Sequence, residues 1–192
     1  EGAVSSRLGM YGIPSEADEI VIARDLRLAA LTGVRYHVQH LSTAASVEMI
    51  ATAAQRGVAV TCEVTPHHLS FTEEDVEGTD PDYKMMPPLR SRTDREVLFA
   101  RLLSGAIDIV ATDHAPHDSD EKCVEFSQAP FGVIGLETAA PLQGREKAVH
   151  VRLGGLPGLA FGEGRQAQDP AVLDLLHHAV GCREQIVLHA EG

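Results

Sequence analysis

The segment "ATDHAPH", residues 111–117, contains one carboxylate and two imidazoles within five residues. It follows the apolar run "AIDIV", so Asp113, His114 and His117 come where a strand is expected to end. Carboxylates and imidazoles together suit zinc and similar divalent ions. A carboxylate beside metal-activated water can accept a proton and later deliver it to a leaving group. Asp113 is therefore a candidate metal ligand and general base, and the alternative is an ordinary polar loop.

The elements that would position these residues alternate between helix and strand. The predicted strands are continuous apolar runs, which are typical of a parallel sheet buried on both faces. A doubly wound sheet or a piece of a (β/α)8 barrel would both produce this pattern, so the fold class is α/β. The predicted helices are 13–33, 42–57, 91–105 and 169–181, and the predicted strands are 34–40, 58–64, 106–112 and 184–190. The expected caps of the first three helices are Ser15 with Asp18 as its partner, Ser42 or Thr43, and Ser91 with Asp94, and the expected stops are Gly33, Gly57 and Gly105.

Ligand-type residues recur where these predicted strands end. His40 ends the first strand, Asp113 follows the third and His189 lies at the end of the fourth, while the second runs into "TPHH". In parallel α/β folds, functional residues gather beyond the carboxyl ends of the strands. A single such residue more often caps the next helix. Three of them on three strand ends favour a metal site.

Two histidine pairs need separate interpretation. His37 and His40 are three residues apart on a predicted strand, so they should face opposite sides, with His40 in the site and His37 packed. His67 and His68 follow a proline in a predicted loop. They could donate a hydrogen bond to a metal ligand without contacting the metal themselves, or they could belong to a structural turn.

Composition limits the class of protein. The chain has 192 residues, of which 44% are hydrophobic and 23% charged, as expected for one globular domain. The net charge of −12 and the scattered Lys and Arg argue against a nucleic-acid partner, and no apolar run is long enough to cross a membrane. Cys62, Cys123 and Cys182 form no CxxC motif, which predicts a reducing, cytoplasmic location.

Several segments carry a resemblance to a known family. They are "YHVQHLST", "CEVTPHHL", "KMMPPLRS", "IDIVATDHAPH", "EKCVEF" and "APFGVIGLETA". Together they resemble the bacterial dihydroorotases of the longer, single-chain type, within the cyclic amidohydrolase superfamily. The resemblance runs from Glu1 to about Leu142 and is most specific in "ATDHAPH" and "PFGVIGLETA".

The resemblance implies a (β/α)8 TIM barrel of the metal-dependent hydrolase type, with a zinc centre at the carboxyl ends of its strands. It implies a zinc ligand at His40 and a metal-bound catalytic acid/base at Asp113. It also implies substrate contacts at His117, Phe131 and Gly132.

Two features depart from that family's pattern. Met86 stands in "KMMPPLR" where the family has a substrate-binding Asn, which puts substrate affinity or specificity in question. The HxH pair of the family's first barrel strand is absent from the sequence, as are its early Arg and Asn.

The carboxyl-terminal segment resembles a part of the family that precedes "EGAVSSRLG". Residues 1–142 resemble the later barrel half and about 159–192 an earlier segment, so 1–192 is predicted to be a single partial barrel domain, rearranged in order. By this match His189 is another zinc ligand and Glu163 stands near the family's bridging Asp. Circular permutation, reordered pieces of a longer chain and chance convergence would each explain the order.

The expected function is that of a zinc-dependent dihydroorotase, which interconverts N-carbamoyl-L-aspartate and L-dihydroorotate in pyrimidine biosynthesis. The alternatives are a hydantoinase- or allantoinase-type cyclic amidohydrolase, or an inactive dihydroorotase-like subunit that scaffolds aspartate transcarbamoylase. The expected partners are a small-molecule substrate and either further copies of the chain or aspartate transcarbamoylase.

Overall fold

The computed structural model describes residues 2–76, 78–135, 138–139, 149–150 and 187–190, the last two ranges through their strand pairing. Six helices lie wholly within these residues. Two short 3₁₀ helices, Glu73–Asp75 and Pro81–Tyr83, lie in the connection before the fifth helix. The helices are α1 (Ala3–Leu8), α2 (Ser15–Thr32), α3 (Ala44–Gln55), α4 (Pro66–Ser70), α5 (Arg92–Leu103) and α6 (Ser119–Lys122).

The sheet has five strands in the order β1-β2-β3-β5-β4. Its first three strands are parallel, with Tyr36 opposite Val60 and Val64 opposite Val110. The α/β class and the parallel arrangement of these three strands are therefore confirmed. The strands are β1 (Tyr36–Val38), β2 (Val60–Val64), β3 (Ile109–Ala111), β4 (Val149–His150) and β5 (Val187–Ala190).

The core lies between this parallel sheet and the helices α2, α3 and α5. It forms because each of these helices presents an apolar face to the neighbouring strands, which removes that surface from water. Its members include Leu26, Val47, Val64, Leu98 and Val110, all at most 7% exposed. Packing on this scale fixes the strands against one another and so fixes the loops that follow them.

The helix ends follow the sequence with one exception. Thr43 and Ser91 cap α3 and α5 by accepting hydrogen bonds from the backbone N–H groups three residues later. For α2, Ser15 was the expected cap and Asp18 its partner, but Pro14 occupies the cap position without a side-chain bond. Asp18 instead pairs with Arg90, at 2.9 Å, because that buried guanidinium needs a compensating charge.

The fourth predicted strand differs from the expectation in its direction. β5 runs antiparallel to β3, with His189 opposite Ile109 and Val187 opposite Ala111. The expectation of a parallel strand ending at the common edge is therefore wrong for this strand. An apolar run specifies burial but carries no signal for strand direction, which is set by the neighbour with which it pairs. Within the described residues, no helix is long and apolar enough to cross a membrane.

Candidate active site

The site is built at the carboxyl ends of β1 and β3. His40 follows β1 by two residues, and Asp113 follows β3 by two residues. Both have positive φ, 52° for His40 and 46° for Asp113, and they are the only described residues other than glycine that do. The left-handed conformation costs a side-chain-bearing residue about 1–2 kcal/mol, and such strain clusters at functional sites. The two strand ends thus share an unusual local geometry.

The two side chains approach each other across the sheet edge. The Nε2 atom of His40 lies 3.7 Å from Oδ1 of Asp113. The His40 side chain is 24% exposed and that of Asp113 is 38% exposed, so the pair is reachable from solvent. The sequence predicted that His40, Asp113 and His189 would converge, and the structure brings the first two together.

Glu63 on the central strand β2 contacts both histidines of the first strand end. Its Oε1 lies 3.0 Å from Nδ1 of His40, although off the line of a well-formed hydrogen bond, and its Oε2 lies 3.0 Å from Nε2 of His37. The Glu63 carboxylate raises the pKa of His40, in opposition to burial, and Asp113 adds to the rise. Burial favours the neutral acid of Glu63, but its two histidine contacts outweigh this and its pKa lies below the usual range.

The expectation that His37 is packed is wrong. His37 is exposed, and its Nδ1 lies 2.8 Å from Oγ1 of Thr61. Both His37 and His40 reach the same carboxylate because β1 ends at Val38, and the alternation of faces along a strand no longer applies at His40.

His67 and His68 lie in the buried helix α4, which Thr65 caps. His68 is fully engaged, since Nδ1 lies 2.6 Å from the Thr65 hydroxyl and Nε2 donates to the Pro87 carbonyl at 3.0 Å. Burial lowers its pKa to about 4. His67 is 2% exposed and burial lowers its pKa as well, yet its Nδ1 atom has no hydrogen-bond partner. His68 is therefore a structural residue, whereas His67 has an unused ring nitrogen.

His117 is held between a carboxylate and a backbone carbonyl. Its Nε2 donates to the carbonyl of Phe131 at 3.0 Å, and its Nδ1 lies 3.1 Å from Glu121. Gly132 donates its N–H to the Lys84 carbonyl, and Lys122 donates to the Gly132 carbonyl at 2.7 Å. His117 is thus placed beside Phe131 and Gly132, as a shared role at the substrate would require. That role stays a prediction.

His114 lies in the chain between Asp113 and His117, and both of its ring nitrogens are buried without a hydrogen-bond partner among the described residues. Its ring therefore takes no visible part in the contact between His40 and Asp113.

The predicted ligands are only partly brought together. Across the described residues, no three His, Cys, Asp or Glu side chains are grouped closely enough to hold a metal ion. His189 pairs through its backbone with Ile109, two residues before β3 ends, which is not the edge predicted for it. Glu163 lies outside the described residues, as does the helix predicted at 169–181. The ligand roles of His189 and Glu163 stay predictions.

Sequence reasoning missed Glu63 and undervalued His67. The signal for Glu63 was present, because a single charge inside the apolar strand "VTCEV" is buried if the strand is central, and a buried charge needs a partner. The signal for His67 was ambiguous, since "PHH" does not show which imidazole is satisfied locally.

Comparison with known proteins gives close relatives for most of the chain, although no family model matches it. The dihydroorotase of Geobacillus sp. (strain WCH70) is 54% identical over 142 residues, which are 74% of this chain and 33% of that protein. The dihydroorotase of Staphylococcus epidermidis (strain ATCC 12228) is 55% identical over the same shares. The chain spans about a third of the length of the curated relatives it matches.

Solved structures with the same fold include two hydantoinases. The D-hydantoinase (dihydropyrimidinase) of Thermus sp. matches 67% of this chain and 30% of its own, with a TM-score of 0.62 and 30% identity. The L-hydantoinase (dihydropyrimidinase) of Arthrobacter aurescens matches 64% of this chain and 28% of its own, with a TM-score of 0.59 and 35% identity. A dihydroorotase from Saccharomyces cerevisiae, 20% identical with a TM-score of 0.56, covers 64% of this chain and 36% of its own and shows the fold alone.

The fold and these neighbours define a class, because the homologues of this chain are cyclic amidohydrolases, which are enzymes. Within that class the resemblance to dihydroorotases is confirmed by relatives that are 52–55% identical over three quarters of the chain.

Proposed function

We propose that this chain forms part of the active site of a zinc-dependent dihydroorotase, which interconverts N-carbamoyl-L-aspartate and L-dihydroorotate. One observation carries the proposal. The residues that are 52–55% identical to dihydroorotases fold so that His40 and Asp113 meet at one strand-end edge. The two hydantoinase structures named above share the fold at 30% and 35% identity, so the higher identity to dihydroorotases favours dihydroorotate over a hydantoin as the substrate.

The side chains at this edge suit a zinc ion. Two ligands of one tetrahedral zinc ion lie about 3.4 Å apart, given bonds of about 2.0–2.2 Å. The His40 Nε2 and Asp113 Oδ1 atoms are 3.7 Å apart. We assign His40 and Asp113 as two of the ligands, and the residues predicted from the sequence, His189 and Glu163, stay as further candidates. The bound ion would make water available as a nucleophile near neutral pH.

Asp113 is assigned the proton transfer. In the hydrolytic direction its carboxylate accepts a proton from the attacking water and delivers it to the ring nitrogen that leaves. In the cyclising direction the same carboxylate takes the proton from that nitrogen. Its 38% exposed side chain is accessible to a substrate. His117, Phe131 and Gly132 would orient the substrate from the neighbouring loop.

The remaining expectations follow from this assignment. The strands of this chain would belong to a (β/α)8 barrel, since three consecutive parallel strands connected through α3 and α5, with this site at their carboxyl ends, match the repeating part of that fold. The enzyme would act in the cytoplasm, either as a homo-oligomer or in complex with aspartate transcarbamoylase. The alternative of an inactive scaffolding subunit predicts the same fold without turnover or zinc.

The test is a replacement experiment. The 142 residues of this chain that match the Geobacillus dihydroorotase replace the corresponding third of that enzyme. The chimera is then assayed with zinc on carbamoyl aspartate, dihydroorotate and hydantoin. We expect turnover of the first two and not of hydantoin. A folded, zinc-loaded chimera that turns over hydantoin alone would move the assignment to the hydantoinases, and one that turns over nothing would favour the scaffolding subunit.

A further inference from the structure

We propose that Lys122 is a positioning residue, whose ammonium group fixes the loop that carries Phe131 and Gly132. The inference rests on the proposed function, because it concerns the loop to which that function assigns substrate contacts. It gives a role at the site to a residue to which neither the sequence motifs nor the comparisons assign one.

Lys122 joins two stretches of chain that are far apart in the sequence. It is the last residue of α6, and its Nζ donates to the carbonyls of Pro81 at 3.0 Å, Pro130 at 3.1 Å and Gly132 at 2.7 Å. An ammonium group has three hydrogens and no acceptor, so these three bonds use its full donor capacity. Bonds from a charged donor are stronger than those between neutral groups. Lys122 therefore fastens the loop to the 3₁₀ helix Pro81–Tyr83.

The carbonyl contacts determine how the peptide groups of the loop are turned. The carbonyls of Pro130 and Gly132 face Lys122. The carbonyl between them, that of Phe131, accepts from Nε2 of His117 at 3.0 Å. The C=O and N–H of a trans peptide point in opposite directions, so the N–H of Phe131 points away from Lys122. Among the described residues no hydrogen bond uses this N–H, which leaves it for an acceptor on a substrate.

Other contacts hold the loop at its two ends. The Lys84 ammonium donates to the carbonyl of Ser127 at 3.0 Å, and the Lys84 carbonyl accepts from the N–H of Gly132 at 2.9 Å. Ala115 donates its N–H to the carbonyl of Val133 at 3.0 Å. Gly132 has φ of 146°, and a Cβ atom there would lie 2.5 Å from the carbonyl oxygen of Ala115. The loop thus lies tightly against the segment that follows β3, so a small shift of its peptide groups alters the site.

The first test measures whether loss of Lys122 releases the loop. Hydrogen exchange of backbone amides is followed by NMR in the 192-residue chain, in the parent and in Lys122→Met. Methionine keeps the length and helix propensity of lysine but donates no hydrogen bond. We expect the N–H groups of Gly132 and Ala115 to exchange about tenfold faster in the variant, because losing a charge-assisted bond shifts local opening by roughly that factor. The N–H of Tyr36, bonded to the carbonyl of Ala59 within the sheet, should exchange as in the parent.

Asp120→Asn is the matched control for the charge change in α6. Asp120 is exposed on the same helix, and in the described structure it makes no hydrogen bond to the loop. Exchange at Gly132 and Ala115 should therefore stay at the parent rate in this variant. Parent exchange rates at both residues in Lys122→Met would overturn the inference.

The second test asks whether the fixed loop serves the substrate. The same substitutions are made in the chimera with the Geobacillus dihydroorotase. We expect KM for carbamoyl aspartate to rise by about tenfold in Lys122→Met, which corresponds to roughly one lost hydrogen bond to the substrate. The turnover number kcat should change by less than about twofold, since the loop binds the substrate and takes no part in proton transfer. Bound zinc should be unchanged. A general loss of fold would instead lower kcat through the active fraction, and an unchanged KM would contradict the role toward the substrate.

Lys122→Arg separates the geometry of these bonds from the charge. The guanidinium keeps the charge, but its planar fork does not direct three N–H groups at carbonyls that converge on one point. We expect faster exchange at Gly132 and a raised KM in this variant too. Parent values of both would assign the effect to charge alone and overturn the inference.

The two tests also separate the inference from the proposed function. If the unsubstituted chimera turns over neither carbamoyl aspartate nor dihydroorotate, the proposed function fails. The exchange rates of Gly132 and Ala115 then still decide whether Lys122 fixes the loop.

Discussion

Replacing Gly135 with alanine tests how the end of β3 is held. A Cβ atom at Gly135 would overlap the carbonyl oxygen of Thr112 and would lie 3.1 Å from its carbonyl carbon and 3.4 Å from Cα of His114. All three are backbone atoms, so no side chain can rotate away to make room. The backbone on both sides of Asp113 would have to move.

The expected cost follows from that geometry. Overpacking a rigid site costs about 1–3 kcal/mol. Thr112 is 1% exposed, so the strand end cannot relax into solvent. Against a typical domain stability of about 5–15 kcal/mol, Gly135→Ala should visibly shift the unfolding midpoint. Because the displaced backbone carries Asp113, zinc affinity should fall in the same variant.

The assay is urea unfolding followed by far-UV circular dichroism, with Gly2→Ala as the matched control. Gly2 has an extended backbone with φ of 169°, and its nearest neighbour to a new Cβ is the Glu73 carboxylate at 3.8 Å. The control should stay within about 0.5 kcal/mol of the parent. If Gly135→Ala lost no more free energy of unfolding than Gly2→Ala, the close approach of Gly135 to Thr112 would be refuted.

Three further predictions concern individual side chains. Asp113→Asn should lower turnover in both directions by about 10²–10⁴-fold, since the amide cannot carry the proton, and should leave the circular dichroism spectrum unchanged. The measurement is steady-state kinetics of the chimera with zinc supplied. Activity within about tenfold of the parent would contradict the assignment. His117→Ala should weaken turnover of carbamoyl aspartate and leave bound zinc unchanged, and zinc loss measured by elemental analysis would make it a ligand instead. Cys123 is exposed, whereas burial raises the pKa of the Cys62 thiol to about 12. Iodoacetamide at about pH 8, near the usual thiol pKa, should therefore label Cys123 in the native chain and Cys62 only in urea. Peptide mass spectrometry identifies the labelled cysteine. Labelling of native Cys62 at the rate of Cys123 would show that the core around β2 opens.

Much of the local structure could be predicted from the sequence. Helices α2, α3 and α5 and strands β1 to β3 lie inside the predicted segments, because apolar periodicity, Thr43, Ser91 and the stop at Gly33 act within a few residues of chain. The convergence of His40 with Asp113 could be predicted too. Parallel strands bring their carboxyl ends to one edge, so residue type and strand position suffice.

What the sequence left open depends on pairing across the sheet. The direction of β5 is set by its neighbour β3, and no residue within 184–190 encodes it. His37 was expected to be packed, yet it shares the Glu63 carboxylate with His40 because the chain turns left-handed after β1. Which imidazole of "PHH" is satisfied depended on the distant Pro87 carbonyl.

The sequence by itself therefore determined the class of residues at the site and the strand ends that carry them. Only the tertiary structure decided which groups at the site form hydrogen bonds with one another. A hydrogen-bond partner is chosen by distance and angle between groups that can be far apart in the chain, as with Glu63 and His37 or His68 and Pro87. Spacing along the chain determines local geometry, but these contacts are set by packing between elements.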